Sequence, residues 1–326
     1  DYLRDNRDEN MGFLSKTLLP DGTEIPGTNF DYNYLQHRKV DVVSSALDFI
    51  LPFEKYKITA GAKVSFTNTR NGINYDTSDP TLVQDDYFRY KEQIYALYAD
   101  YSREYSERFS MQLGLRMEHT RTTGISEAKD TEDKHDYTRL FPTVYLLYSP
   151  TDGHALNFSF SNRISRPSQN MVNPFPFYQN KYTYACGRED LKPSYTYNVE
   201  LGYTLKNNFN VSAYYSYSDD VFFQVVDLDA ETNVTSFLWE NFMQTHAFGL
   251  NNSYTFRTKW LQAYAQHGVS YRRTTSSAAT TSPEEKGWAY DASLRNTFFF
   301  NEKKTLLATL SGSYSSRQYQ GIYLMS

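Results

Sequence analysis

The residues best suited to binding a ligand lie in one short polar segment of the chain. Five aromatic side chains and one guanidinium group fall within fourteen residues there: Phe175, Phe177, Tyr178, Tyr182, Tyr184 and Arg188. Flat rings stack on sugar rings, aromatic chelators or peptide side chains, and a guanidinium pairs with a carboxylate or phosphate. We take these six residues as candidate ligand contacts. The alternative, which we favour, is that they pack on neighbouring loops and brace them.

Catalytic chemistry has weaker support in the sequence. The six histidines stand outside any recognisable nucleophile or metal motif: His37, His119, His135, His154, His246 and His267. Asp219 and Asp220 are adjacent and could act as a base and its orienting group, but an acidic pair after a strand is more often a solvated strand end. We therefore predict no catalytic residues and no enzyme activity.

Metal and cofactor sites are also weakly indicated. Asp227, Asp229 and Glu231 alternate in DLDAET at 227–232, and four acidic residues cluster in AKDTEDKHD at 128–136. Calcium needs about 6 to 8 oxygen ligands at fixed spacing, and neither loop has that spacing. The sequence places no base beside Cys186. We predict no metal site and no cofactor.

Composition excludes several classes of protein. Aromatic residues make up 17% of the chain, including 30 tyrosines, although the mean hydropathy is -0.66. No apolar run reaches the roughly 18 residues of a transmembrane helix, and the opening DYLRDNRDEN has no signal-peptide core. The net charge of -5 argues against a nucleic-acid partner. The single cysteine excludes an internal disulfide framework.

A strand pattern begins directly after the candidate segment. Within GREDLKPSYTYNVELGY at 187–203, a charged, proline-stopped run changes into strict alternation of large apolar and polar side chains. Tyr197, Val199 and Leu201 leave one face of an extended chain, whereas Asn198 and Glu200 leave the other. The same period recurs at 56–66, 109–117, 209–217, 288–294 and 306–314. This period predicts an all-β fold, because a helix would scatter these residues around its surface.

Strand length and aromatic placement favour a membrane barrel over a soluble sandwich. The alternating segments exceed the usual 5 to 6 residues of sandwich strands, and about ten tilted residues span the roughly 25 Å apolar band of an outer-membrane barrel. Tyr56 and Phe66 flank smaller apolar residues and would lie at the two lipid interfaces. The opposite face would line a polar lumen with Lys57, Lys63, Arg116, Glu118, Glu200, Asp291 and Arg295. We predict a transmembrane antiparallel β-barrel, with a soluble glycan-binding β-sandwich as the less favoured alternative.

The connections alternate between short turns and long polar loops, as outer-membrane barrels require. We predict twelve strands, at 37–51, 56–70, 87–101, 108–122, 137–150, 154–165, 195–206, 208–221, 239–257, 260–272, 287–300 and 304–316. Residues 1–36 are expected to form a loop or an edge before the first of them. The long loops are expected at 71–86, 123–136, 166–194, 222–238 and 273–286, on the extracellular side.

Several short motifs near the middle of the chain resemble a known family. They are Phe-Pro-x-x-x-x-x-Tyr at 141–148, Ser-Arg-Pro at 165–167, Asn-Pro-Phe at 173–175, Leu-Lys-Pro at 191–193 and Glu-Leu-Gly at 200–202. Their order resembles the barrel of TonB-dependent outer-membrane receptors, and more narrowly the "outer membrane protein β-barrel" branch. The close resemblance covers about 137–206. Arg188, Glu189 and Ser194 depart from the family pattern.

The resemblance implies a receptor of the cell outer membrane that imports an unidentified small molecule, glycan or peptide. It implies membrane lipid and lipopolysaccharide around the barrel, and the TonB complex acting through a plug domain. We expect residues 1–326 to be part of a barrel of about 22 strands, without the plug or the C-terminal strands, because twelve strands already use 326 residues. A passive porin or an adhesion-type barrel remains the alternative.

Overall fold

The computed structural model describes residues 1–26, 30–77 and 85–325, and its architecture is all-β. Before residue 166 the strands are β1 (Tyr2–Ser15), β2 (Phe30–Pro52), β3 (Lys57–Thr77), β4 (Asp86–Ser106), β5 (Phe109–Ser126), β6 (Thr131–Tyr148) and β7 (His154–Ser165). The next connection contains the helical turn α1 (Gln169–Val172) and the strands β8 (Pro176–Asn180) and β9 (Thr183–Cys186). After it come β10 (Ser194–Leu205), β11 (Phe209–Asp229), β12 (Val234–Arg257), β13 (Leu261–Ser276), β14 (Glu284–Phe299), β15 (Leu307–Ser315), β16 (Gln318–Gln320) and β17 (Tyr323–Met325).

One sheet of fifteen strands contains most of the described residues. Its path joins β1 through β7 and then β10 through β15, each strand antiparallel to its neighbours in the path. Tight turns join the strands at one end; in the three-residue turn 206–208, Lys206 and Asn207 both have positive φ. Within the described residues the path ends at β1 and β15, so the sheet is an up-and-down meander with two edge strands.

The strands extend further than alternation alone predicts. Residues 1–36, expected as a loop or an edge, contain the edge strand β1 and the start of β2. Much of the predicted long loops also belongs to strands, since β3 continues to Thr77, β5 to Ser126 and β11 to Asp229. Residues 78–84 of the predicted loop 71–86 lie outside the described residues. The expected loops at 71–86, 123–136, 222–238 and 273–286 were therefore too long.

The register places the predicted apolar residues on one face of the sheet. Leu113 pairs with Tyr101 and Val144, and Leu201 pairs with Phe158 and Ala213. These neighbours are apolar or aromatic, so the row continues across strands, and Leu201 is 59% exposed. We call this the outer face, and the face that carries Glu118 the inner face. No helix among the described residues is long and apolar enough to cross a membrane.

The buried core lies on the inner face, near the strand ends that carry the long connections. One cluster joins Tyr32, Tyr34, Ile73, Tyr75 and Phe175, and a second joins Phe88, Val172 and Leu191. A third contains Val225, Phe242 and Met243, with Ile322 packed against it. The first two clusters bring the connection 166–193 onto the sheet.

The turn arrangement predicts which ends of the hairpins face the cell exterior. An epitope tag inserted at 180–181, in the exposed turn between β8 and β9, should be labelled on intact cells. A tag after Asp152, in the short turn before β7, should be labelled only after the outer membrane is permeabilised. Labelling of the tag after Asp152 on unbroken cells would contradict this orientation.

Candidate ligand-binding loop

The six candidate residues lie in the connection between β7 and β10, residues 166–193, which we call the inner loop. The inner loop contacts strands far apart in the sheet. Phe175 packs on Tyr75 of β3, and β9 pairs in parallel with β12 over Thr235–Leu238. Because β3 and β12 are separated by six strands in the path, the inner loop crosses the inner face of the sheet.

Arg166 anchors the start of the inner loop to the sheet. Its Nη2 atom donates to Glu118 Oε2 at 2.5 Å and to Thr120 Oγ1 at 3.2 Å, and its Nε lies 3.8 Å from Glu92 Oε2. Glu118 is buried and also accepts a hydrogen bond from Arg116 Nε at 2.5 Å. Two cations and two carboxylates thus neutralise one another in a largely buried setting, where an unpaired charge would be costly.

A tight backbone contact folds the inner loop on itself. The Gly187 amide donates to the Asn173 carbonyl at 2.9 Å, and the Arg188 amide donates to the Met171 carbonyl at 2.8 Å. A Cβ atom on Gly187 would clash with the Asn173 carbonyl oxygen, so the close approach requires glycine. Val172 and Leu191 bury their side chains against Phe88 of β4. The part of the loop around α1 is therefore held in one conformation by these contacts.

Three of the six candidate residues pack into the sheet. Phe175 is 4% exposed and stacks on Tyr75 with ring centroids 4.9 Å apart. Phe177 meets Tyr34 edge to face at 6.2 Å, and Tyr178 meets Tyr32 in the same way at 5.3 Å. The Tyr75 hydroxyl donates to the Pro176 carbonyl at 3.3 Å. In this structure these three rings brace the loop against β2 and β3.

Of the other three candidate residues, Tyr182 and Arg188 are exposed, whereas Tyr184 is half-buried like Phe177 and Tyr178. Tyr182 is 52% exposed at the turn between β8 and β9, and Tyr184 is half-buried beside Tyr178, with ring centroids 5.4 Å apart. The Arg188 guanidinium donates from Nε to Asp190 at 2.6 Å and from Nη1 to Glu240 of β12 at 2.7 Å. The structure brings Tyr178 and Tyr184 together, while Arg188 lies in a separate ion-pair cluster.

Polar groups fix the middle of the inner loop to the turn between β5 and β6 and to the first residue of β6. Lys129 Nζ donates to the Pro174 carbonyl at 2.8 Å, and Thr131 Oγ1 donates to Glu189 Oε1 at 2.8 Å. Burial raises the pKa of Glu189 above its ordinary value despite the Thr131 hydrogen bond. Burial also raises the pKa of the Cys186 thiol, which contacts the Pro174 carbonyl at 3.0 Å. The thiol is therefore held in its less reactive protonated form.

Sequence reasoning missed the residues that hold the inner loop. Tyr32 and Tyr34 fell in the segment expected as a loop or an edge, and Tyr75 fell in a predicted loop. Glu118 was assigned to the lumen without its partner Arg166. The Ser-Arg-Pro motif at 165–167 was the available signal, because it marks the first residue after β7.

The acidic candidates also occupy different positions from those expected. Asp219 and Asp220 lie at a β-bulge within β11, not at a strand end, and Asp219 accepts a hydrogen bond from Gln244. The Asp229 carboxylate accepts a hydrogen bond from the Thr232 hydroxyl at 2.7 Å and closes the turn between β11 and β12. Across residues 1–26, 30–77 and 85–325, no group of three or more His, Cys, Asp or Glu side chains is placed to hold a metal ion.

Two substitutions in the inner loop distinguish a residue that braces the loop from one that is exposed. Phe175→Ala should destabilise the packed loop by about 3–5 kcal/mol, because a buried ring leaves a cavity. Tyr182→Ala should change stability by less than about 0.5 kcal/mol, because the ring is mostly exposed. Urea titration of the membrane-inserted protein, with protease cleavage of the loop as the readout, would measure both changes in stability. Equal sensitivity in the two variants would contradict the packing described here.

The whole chain matches one protein family. The family described as outer membrane protein beta-barrel matches the chain over residues 1–326. The chain belongs to the outer membrane protein β-barrel family. This outer membrane protein β-barrel is located in the cell outer membrane, and the match confirms the family resemblance found in its motifs. No curated protein matches it in sequence.

Solved structures share the fold of this outer membrane protein β-barrel at low sequence identity. The copper transporter OprC aligns with a TM-score of 0.56 and 13% identity, over 90% of this chain and 52% of that one. FpvAI, in its complex with pyocin S2, aligns with a TM-score of 0.54 and 14% identity, over 97% of this chain and 43% of the other. The ferric enterobactin receptor PfeA, in complex with BCV-L6, aligns with a TM-score of 0.50 and 12% identity, over 96% of this chain and 51% of that one. The chain spans about half the length of these solved structures.

Proposed function

We propose that this chain forms part of the barrel wall of a TonB-dependent receptor that imports a substrate across the outer membrane. The substrate class is a small molecule, a glycan or a peptide. The fold likeness to a copper transporter and to a ferric enterobactin receptor supports import by analogy of architecture. The family membership supports the membrane setting.

The observation that carries the proposal is the path of the inner loop. It crosses the inner face from β3 to β12 and is fixed by stacking at Phe175, by the ion pair at Arg166 and by strand pairing at β9. A porin keeps a water-filled channel, whereas a receptor needs a structured mouth that meets its ligand before transport. An ordered segment across the lumen side of the sheet suits the second role.

Within the inner loop we assign two roles to the six candidate residues. Phe175, Phe177 and Tyr178 brace the loop, because their rings pack on β2 and β3. Tyr182, Tyr184 and Arg188 are the contacts for a ligand, because they lie outside that cluster and because Tyr182 and Arg188 are exposed. Arg188 would exchange its pairing with Asp190 or Glu240 for an acidic group of the ligand.

The proposed partners follow from the two faces of the sheet. Membrane lipid and lipopolysaccharide would surround the apolar outer face, and the TonB complex would act through a plug domain in the whole receptor. We propose neither enzyme activity nor a nucleic-acid partner, since the role of the chain is to bind and pass a substrate.

A liposome-swelling measurement tests the proposal against a passive pore. The full-length product of the gene is reconstituted into liposomes, which are then diluted into isotonic neutral sugars of increasing size. A receptor should give swelling close to that of empty liposomes. Rapid swelling that falls with sugar size would overturn the receptor proposal and favour a porin. Heat modifiability on a gel confirms that the reconstituted protein is folded.

A further inference from the structure

The outer face carries a polar pair within its apolar region. Asn252 of β12 and His267 of β13 are directly paired in the sheet, on the same face as Leu250 and Val269. Cross-strand partners continue this face to Val211 on one side and Ala292 on the other. The two polar side chains therefore lie on the outer face among apolar neighbours and point away from the lumen.

Aromatic rows show the depth of this polar pair. Trp260 and Phe298 stack near the turn between β12 and β13, and Tyr271 and Trp288 contact each other toward the opposite end. These rows mark the two lipid interfaces of a membrane barrel. His267 lies four residues before Tyr271, which is on the order of 10 Å along a tilted strand. The pair is thus inside the apolar band.

Other strands have apolar residues in the corresponding region. Leu113, Val144 and Leu201 occupy the outer face of β5, β6 and β10. Two other histidines of the outer face also bond to tyrosine hydroxyls, His154 to Tyr203 and His246 to Tyr215. His154 is the first residue of β7, and His246 pairs with Arg273, beyond the row at Tyr271. His267 differs from them in its depth within the band.

Part of the hydrogen-bonding capacity of the pair is unused. The His267 Nδ1 atom lies 2.9 Å from the Tyr290 hydroxyl. In the described part of the chain, no hydrogen bond engages His267 Nε2 or the Asn252 side-chain amide. Acyl chains cannot supply such a bond, and an unsatisfied polar group in hydrocarbon is costly. The pair would be stabilised if another protein surface covered it.

We infer that the outer face of β12–β15 docks against the same face of a second copy of this chain within the membrane. Imidazole and amide groups each carry a donor and an acceptor, so the patch is complementary to itself across a two-fold axis. Beside the pair, a groove of about 680 Å³ is lined by residues that include Ala265, Ala292 and Gly312 and can receive side chains of the partner. A face four strands wide and about 25 Å tall gives roughly 500 Å² per copy, near the lower limit for a specific interface.

Cysteine cross-linking in native outer membranes tests this dimer. Val269→Cys places a thiol on the next residue of β13 that shares the outer face with His267, and Leu113→Cys is a matched control on β5. The native Val269 and Leu113 are 37% and 39% exposed. With a short thiol-specific cross-linker, Val269→Cys in the full-length protein should give a band at twice the monomer mass, and Leu113→Cys should not. Adding His267→Leu and Asn252→Leu to Val269→Cys should reduce that band by roughly tenfold, because the buried polar contacts are lost.

Three outcomes would overturn the inference. One is equal cross-linking at Val269→Cys and Leu113→Cys in folded protein, which would indicate random collision. Another is a dimer that persists unchanged after both leucine substitutions, which would remove the role of the polar pair. The third is a monomer throughout whose heat stability rises with His267→Leu, which would show that lipid covers this face. None of these outcomes depends on the import proposal, because the readout needs no substrate.

Discussion

Leu113→Arg should weaken insertion of the barrel into a bilayer by about 2–4 kcal/mol. Leu113 lies on the outer face between Tyr101 and Val144, where a guanidinium would meet hydrocarbon. The cost is large because neither water nor a carboxylate is available at that depth. Urea titration of refolding into lipid vesicles measures the change in folding free energy directly.

The adjacent residue provides the matched control for this substitution. Gln112 is also exposed, but it lies on the inner face and pairs with Ser102 and Tyr145. Gln112→Arg should change the folding free energy by less than about 0.5 kcal/mol, because a charged side chain in a polar lumen keeps its hydration. Equal losses in the two variants would show that the inner and outer faces have been assigned wrongly.

Arg166→Ala should lower the free energy that holds the inner loop on the sheet by about 3–5 kcal/mol. Removing the guanidinium leaves Glu118 with Arg116 alone and Glu92 without its ion-pair partner, so one carboxylate stays uncompensated in a largely buried site. The Cys186 thiol reports the release, because it is held against the Pro174 carbonyl in the closed loop. Alkylation of Cys186 should become faster by roughly 10² to 10³ or more, in proportion to the open population.

Arg188→Ala is the control within the same loop. Its ion pairs with Asp190 and Glu240 are partly solvated, and such pairs contribute only about 0–1 kcal/mol. Alkylation should therefore accelerate by no more than about fivefold. Cys186→Ser identifies the labelled site, and Glu118→Gln added to Arg166→Ala should restore part of the protection. Similar rates for the two arginine variants would contradict the anchoring role of Arg166.

The alternation of apolar and polar residues predicted the strands wherever one face of the sheet meets lipid. It did not predict them where neither face meets lipid. The central parts of β5, β10 and β13 were found from sequence because their outer residues are apolar and their inner residues are mostly polar. Beyond the membrane, both faces of a strand meet water or protein, so the period disappears. The end of β11, FFQVVDLD at 222–229, is such a case, and the charged β1 is another. Backbone pairing with a neighbouring strand, which sequence does not display, stabilises both.

In the inner loop, too, neighbouring residues in the sequence predicted part of the structure, and contacts with distant residues decided the rest. The six candidate residues are neighbours in the chain and so share one connection, and their aromatic character suggested both bracing and binding. Tyr32 and Tyr75 lie about a hundred residues or more before Phe175 in the chain, and the register of the strands between them decides that they meet it. Burial of Phe175 and exposure of Tyr182 depend on that register, so the sequence alone could not separate their roles.

Binding to the periplasmic domain of TonB tests most directly the claim that this barrel is an energised receptor. The full-length gene product, folded in detergent as judged by heat modifiability, is titrated with the purified domain and followed by calorimetry. A receptor should bind the domain saturably with one site per barrel. Absence of binding by the folded protein, at concentrations where a known TonB-dependent receptor binds in parallel, would contradict the proposal.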